Sequence, residues 1–320
     1  MKIVCLDGSA LNPGDLSWEP LEQIGEFTVY PRTEDEDQAA ARIGDAEVLL
    51  VNKFPVTESL LERCPSVKCV CVLATGYNIV DCEAAKKRGI PVCNVPSYGT
   101  QAVAQFTFGL ILEMCHRIGL HNHSVHQGDW GRGPDFCYWL SPQVELAGKT
   151  LGIIGFGAIG RAVGRLGRAF GMEVIAYNRS QCAEGAAIGS YVTLEELLER
   201  SDVISLHCPL FPETEKIINA QTIGKMKDGV MLCNTARGGL VDEEALDTAL
   251  KSGKVMYAAV DVVSVEPIRQ ENPLLHNKKC LITPHIAWAP RESRQRLLDC
   301  VVENVRCYVN GKRQNVVNGL

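Results

Sequence analysis

The sequence predicts an α/β protein built from two doubly wound parallel-sheet domains, the second opening on a Rossmann-type glycine turn and the first discontinuous in the chain. Three observations carry this. Short apolar runs alternate with amphipathic stretches from end to end, which is the pattern of βαβ units. The stretch GFGAIG at 155–160 sits between a strand-like and a helix-like segment. The length, 320 residues, exceeds what one compact core of ordinary size accommodates.

Taken in order, KIVCLD, AEVLLVN, KCVCVLAT and IPVCNVP read as buried strands, with ESLLERCP and CEAAKKRG as helices between them. From about residue 100 a long, almost unbroken helical stretch, TQAVAQFTFGLILEMCHRI, leads into a loop rich in Gly, Trp and Pro, GDWGRGPDFCYW. A second βαβ series starts at KTLGIIGFG and continues through EVIAYN, DVISLHCP, GVMLCNTA, MYAAVDV and CLITPH. Thr193 and Glu196 suggest a capping box for TLEELLERS. A last helix, ESRQRLLDCVVENVRCYVNG, is expected to return to the first domain, so the predicted division is 1–99, 100–286 and 287–320.

A net charge of −6 argues against a general nucleic-acid or anionic-membrane surface. No apolar run is long enough to span a bilayer, and MKIVCLDGS reads as a first strand and turn, so the expected location is the cytoplasm. The fourteen cysteines lack close CxxC pairs and read as reduced, buried thiols. Cys69 and Cys71 share one face of a strand, where packing is the expected role. His121, His123 and His126 do not gather on one helix face, and no metal is expected.

The chemistry-bearing residues lie where predicted strands end. In GFGAIG, Gly155 permits a tight turn, Gly157 lets backbone approach a pyrophosphate and Gly160 allows close helix packing. Ala158 and Ile159 open the helix whose amino terminus would hold the phosphates. The next strand ends not in a carboxylate but in Asn178, followed by Arg179 and Ser180. That leaves NAD and NADP both open, with an inclination to NADP, because an arginine and a hydroxyl suit a 2′-phosphate. Arg237, Asp261 with Glu266, and His285 then follow three successive strands, where open α/β sheets bind ligands.

With ATGYNIVD, GFGAIG, HCPLFPET, NTARGGLVDE, DVVSVEP and ITPHIAW in this order, the chain resembles the D-isomer specific 2-hydroxyacid dehydrogenases over essentially its whole length. The wording ATGYN, FCYW and PHIAW is most similar to the glycerate dehydrogenase or hydroxypyruvate reductase branch. The resemblance implies hydride transfer to a small 2-keto acid such as hydroxypyruvate or glyoxylate. Arg237 would grip the substrate carboxylate and carbonyl, His285 would donate the proton, and Glu266 would fix the imidazole tautomer. Asp261, Pro209, Thr214, Thr235 and Ala236 would attend the cofactor, Asp261 at the nicotinamide carboxamide, and amides around Thr75 and Gly76 would complete the carboxylate site. It further implies a Rossmann cofactor domain, a flavodoxin-like discontinuous substrate domain and a cleft that closes over substrate. A D-lactate-type dehydrogenase and a dinucleotide-sensing corepressor remain the alternative readings. A homodimer is expected through the helix at 100–118 and the loop after it, because that helix is apolar on more than one face.

Overall fold

Short apolar runs build the interior of the first sheet of the computed structural model, which describes residues 1–320. Strands β1 (Lys2–Cys5), β2 (Glu26–Val29), β3 (Val48–Val51), β4 (Cys69–Val72) and β5 (Val92–Cys93) run parallel in the order β2-β1-β3-β4-β5. This is the flavodoxin-like order. VLLV and CVCV are buried at every position, as a parallel strand covered on both faces must be. The helices Glu36–Ile43, Glu58–Arg63 and Cys82–Lys87 start on Asp35, Thr57 and Asp81, whose side chains accept a backbone N–H of the first turn. The opposite face is covered by the long helix Arg291–Val309, which lays Leu297, Leu298, Val301, Val302 and Val305 against Ile3, Leu50 and Cys71. Spacings of one, three and four residues make that stripe. These segments form one compact unit, Met1–Gly99 with Trp288–Leu320.

The second unit is Thr100–Ala287. Its seven parallel strands are β6 (Thr150–Ile154), β7 (Glu173–Tyr177), β8 (Ser190–Tyr191), β9 (Val203–Leu206), β10 (Val230–Asn234), β11 (Val255–Val260) and β12 (Cys280–Ile282). Their order is β12-β11-β10-β9-β6-β7-β8, so the winding reverses between β6 and β9. Ligands bind at such a switch point, beyond the carboxyl ends of the strands.

Two strands escaped the sequence reading, β2 and β8. Both are sheet edges: EFTV alternates exposed and part-buried positions and SY is only two residues long, so neither shows the continuous apolar run of an interior strand. The long helix also differs. It spans Thr100–His116, breaks at Arg117, which takes a left-handed conformation (φ 47°), and resumes as Ile118–His126. The Glu113 carboxylate accepts the Gly119 N–H at the start of the second piece. The expected loop contains a further short helix, Asp129–Arg132. The apolar faces of Thr100–His116 are satisfied inside the unit, since Phe108, Leu110 and Ile111 belong to a core with Leu151, Ile153 and Val163. Phe106 and Leu112 of the same helix pack against that core while staying part-buried. No helix is long and apolar enough to cross a membrane.

Candidate active site

The glycine turn comes first because β6 delivers it to the switch point. Gly155 has φ 96°, and a Cβ there would collide with the backbone nitrogen of Cys208, at the exit of neighbouring β9. A Cβ on Gly160 would collide with the Gly155 carbonyl. Gly157 is the opposite case. It caps the helix Ala158–Ala169, and a Cβ built on it meets nothing within 4 Å. Two glycines are thus required by the protein's own packing, while the third keeps open the space before the first helical N–H groups, at Ala158 and Ile159. A dinucleotide pyrophosphate fits such a cradle.

At the end of β7, the Asn178 side chain ties the glycine turn down. Its Oδ1 accepts the Phe156 N–H (2.9 Å) and its Nδ2 donates to the Ser180 carbonyl (2.6 Å). Arg179 and Ser180 are exposed beside it. None of these three residues carries a carboxylate.

Arg237 follows β10 on a turn held by a residue the sequence reading passed over. Asn234, fully buried, donates Nδ2 to the Arg237 carbonyl (2.9 Å) and accepts the Ala236 N–H at Oδ1 (3.0 Å). An asparagine opening a turn in this way is a local signal, present in NTARGG, that could have been used. A Cβ on Gly238 would collide with the Val263 carbonyl group, so the glycine lets the Arg237 turn press against the segment leaving β11. The Arg237 side chain itself is exposed. Thr235 is almost buried and shares a hydroxyl contact of 2.9 Å with Thr107. The loop after β9 closes on itself: Thr214 Oγ1 donates to the Pro209 carbonyl (2.8 Å) and accepts the Phe211 N–H (2.8 Å).

His285 stands in a left-handed backbone conformation, φ 54°, which an L-residue adopts only when its surroundings impose it. Asp261 does the imposing. It is 1% exposed; its carboxylate accepts from Thr283 Oγ1 (2.6 Å), Ile286 N–H (2.9 Å) and Ala287 N–H (2.8 Å), and its carbonyl accepts the His285 N–H (2.8 Å). The residue expected at the nicotinamide carboxamide is thus a brace for the histidine turn. His285 Nδ1 lies 2.7 Å from Glu266 Oε2, with both side chains part-exposed (29% and 36%). One ring nitrogen, Nδ1, is thus engaged by a carboxylate. At the end of β9, burial pushes His207 down to about 3, and its Nε2 lies 2.8 Å from Ser205 Oγ.

In the first unit, Thr75 and Gly76 follow β4. Thr75 Oγ1 donates to the Val95 carbonyl (2.7 Å), and the Thr75 carbonyl accepts from Asn94 Nδ2 (2.8 Å). His121, by contrast, spends both ring nitrogens on backbone, Nδ1 against the Arg117 carbonyl (2.8 Å) and Nε2 accepting the Leu140 N–H (2.9 Å).

A switch-point glycine cradle with an arginine, a carboxylate and a histidine on the following strand ends defines a dinucleotide-dependent oxidoreductase. The profile described as "D-isomer specific 2-hydroxyacid dehydrogenase, NAD binding domain" matches residues 108–287, and the chain belongs to that family. It is 53% identical over 322 residues to a hydroxypyruvate reductase of Blautia hydrogenotrophica, covering 99% of this chain and all of that one. It is 39% identical over 318 residues to a glycerate dehydrogenase of Methylorubrum extorquens, covering 99% and 98%. Among solved structures, an acyclic imino acid reductase in complex with NADPH and D-Arg superposes with a TM-score of 0.86 at 29% identity, covering 99% of this chain and all of that one.

Proposed function

We propose that this protein reduces hydroxypyruvate, and glyoxylate as a smaller analogue, to the D-hydroxy acid. The observation that carries this is the His285–Glu266 pair at 2.7 Å, on a histidine turn that Asp261 locks in place. The bound nicotinamide supplies hydride to the carbonyl carbon. Arg237, a permanent planar cation, binds the substrate carboxylate and carbonyl oxygen and draws electron density from the carbon. His285 Nε2 gives its proton to the carbonyl oxygen, and the Glu266 carboxylate stabilises the charged ring before that transfer. The names of the two relatives support the choice of hydroxypyruvate. Comparing turnover of hydroxypyruvate, glyoxylate, pyruvate and phenylpyruvate tests it: hydroxypyruvate is expected to have the highest kcat/KM, and a clear preference for pyruvate or phenylpyruvate overturns the reading.

NADPH is the proposed preferred cofactor. Asn178 spends its amide inside the turn, and Arg179 and Ser180 are left exposed with no carboxylate to repel a 2′-phosphate. A homodimer is proposed through the segment after the broken helix, where Ile118 (60%), Trp130 (51%), Phe136 (88%), Trp139 (69%) and Leu140 (49%) are exposed close together in the chain. A cluster of large apolar side chains this exposed marks an interaction surface. All fourteen cysteines are free, which supports a reducing compartment such as the cytoplasm.

A further inference from the structure

Three thiols that the reduction chemistry leaves unused meet in the core of the first unit. Cys69 and Cys71 point to the same face of β4, and Cys71 is in register with Cys93 on the adjacent parallel strand β5. All three are buried (0%, 0% and 3% exposed), and their sulfurs lie within 4.8 Å of one another, with Cys69 and Cys71 3.9 Å apart. The sequence suggests packing for the first pair; the third sulfur, twenty-two residues after Cys71, changes the chemistry. We propose that Cys69, Cys71 and Cys93 form a three-sulfur seat for a single soft cation, monovalent copper.

Geometry and ligand softness both select the ion. In a trigonal site with metal–sulfur bonds of about 2.3 Å, the sulfurs stand about 4.0 Å apart, so the triangle is already close to the size an ion needs. The cluster offers three ligand atoms and no imidazole or carboxylate. Structural zinc takes four ligands, and hard cations take oxygen, whereas thiolates alone select monovalent copper. The shell around the sulfurs, with Leu50, Leu73, Leu297 and Val301, is apolar and excludes competing water. Copper(I) would displace thiol protons to solvent, and no electron changes hands.

The test uses the native full-length protein under anaerobic conditions, with copper(I) supplied as its bicinchoninate complex. The expected result is uptake of a single ion that resists the chelator, ultraviolet sulfur-to-copper absorption and a raised Tm. X-ray absorption should show three sulfur neighbours and no nitrogen or oxygen. Cys71→Ala is expected to lose this ion and the Tm increase, while Cys137→Ser and Cys182→Ser, at exposed thiols, keep both. Should Cys71→Ala fail to fold, the absorption spectrum of the unmodified protein decides alone. No chelator-resistant uptake, the same uptake by folded Cys71→Ala, or a coordination shell other than three sulfurs overturns the proposal.

Discussion

At the scale of single residues, the same chemical type serves different ends according to what its neighbours claim. Asn178 and Arg179 are adjacent, yet the asparagine is committed to the glycine turn through two hydrogen bonds and the arginine is left at the surface. Arg179 is therefore the residue expected to answer a 2′-phosphate. A charge-assisted contact of this kind contributes roughly 1.5 to 3 kcal/mol, or about one to two decades in affinity. Arg179→Ala is expected to raise the Kd for NADPH by that factor while leaving the Kd for NADH unchanged. Equal losses for both cofactors, or no loss for either, would place Arg179 outside the pocket. The sequence identified Arg237, Glu266 and His285 because each ends a strand in a readable series. The Asn234 turn was a local signal in NTARGG left unused, whereas the bracing role of Asp261 was not legible, because its carboxylate reaches groups 22 to 26 residues further along the chain that only the fold brings to it.

Among elements, strands set in a continuous apolar run were legible, the edge strands β5 and β12 included, whereas β2 and β8, edge strands without such a run, were not. CVCV and TLGII announce themselves as continuous apolar runs, while EFTV and SY lie at sheet edges, half in water, and read as loop. The helix starting at Thr100 was visible, but its break was not, because Arg117 adopts a positive φ with no glycine to signal it. Thr193 caps its helix as expected, accepting the Glu196 N–H, but the Glu196 carboxylate turns to Arg200 instead of closing the box.

The glycine turn offers a clean separation of roles. Gly157→Ala places a methyl in open space, so Tm should be unchanged while NADPH and NADH binding both weaken at least about tenfold, the loss expected from about 1.4 kcal/mol. Gly160→Ala places it against the Gly155 carbonyl, so Tm itself should fall. Differential scanning and cofactor titration on the two variants check both statements; a lower Tm for Gly157→Ala with cofactor binding intact would remove the cradle from the account.

The end of β9 carries a second element-level consequence. Burial lowers His207 from 6.5 to about 3, so between those values the unfolded chain binds a proton that the folded protein refuses. The contribution to stability is complete above pH 6.5 and is lost as pH falls towards 3, at a slope of up to about 1.4 kcal/mol per pH unit. Urea unfolding of His207→Gln at pH 7 and pH 5 should show a smaller loss than the unmodified protein. Identical losses would mean that the ring titrates in the folded state as it does in the unfolded chain.

For the whole molecule, the segment 118–140 is the proposed assembly surface. Its apolar side chains are unsupported by the unit's own core, unlike Phe108 or Ile111 of the preceding helix. Light scattering at micromolar concentration is expected to give twice the chain mass, and Phe136→Glu with Trp139→Glu to give the monomer mass. A monomer from the unmodified protein would assign the patch to another partner.

His285, steered by Glu266 and locked by Asp261, is proposed to protonate the carbonyl of a 2-keto acid as hydride arrives. The direct measurement is kcat for hydroxypyruvate reduction by His285→Ala alongside the Kd for NADPH of the same variant. Losing a general acid costs about a hundredfold to ten-thousandfold in rate and leaves the phosphate cradle intact, so kcat should fall within that range with the Kd unchanged. A variant that reduces hydroxypyruvate at the rate of the unmodified protein would contradict the account.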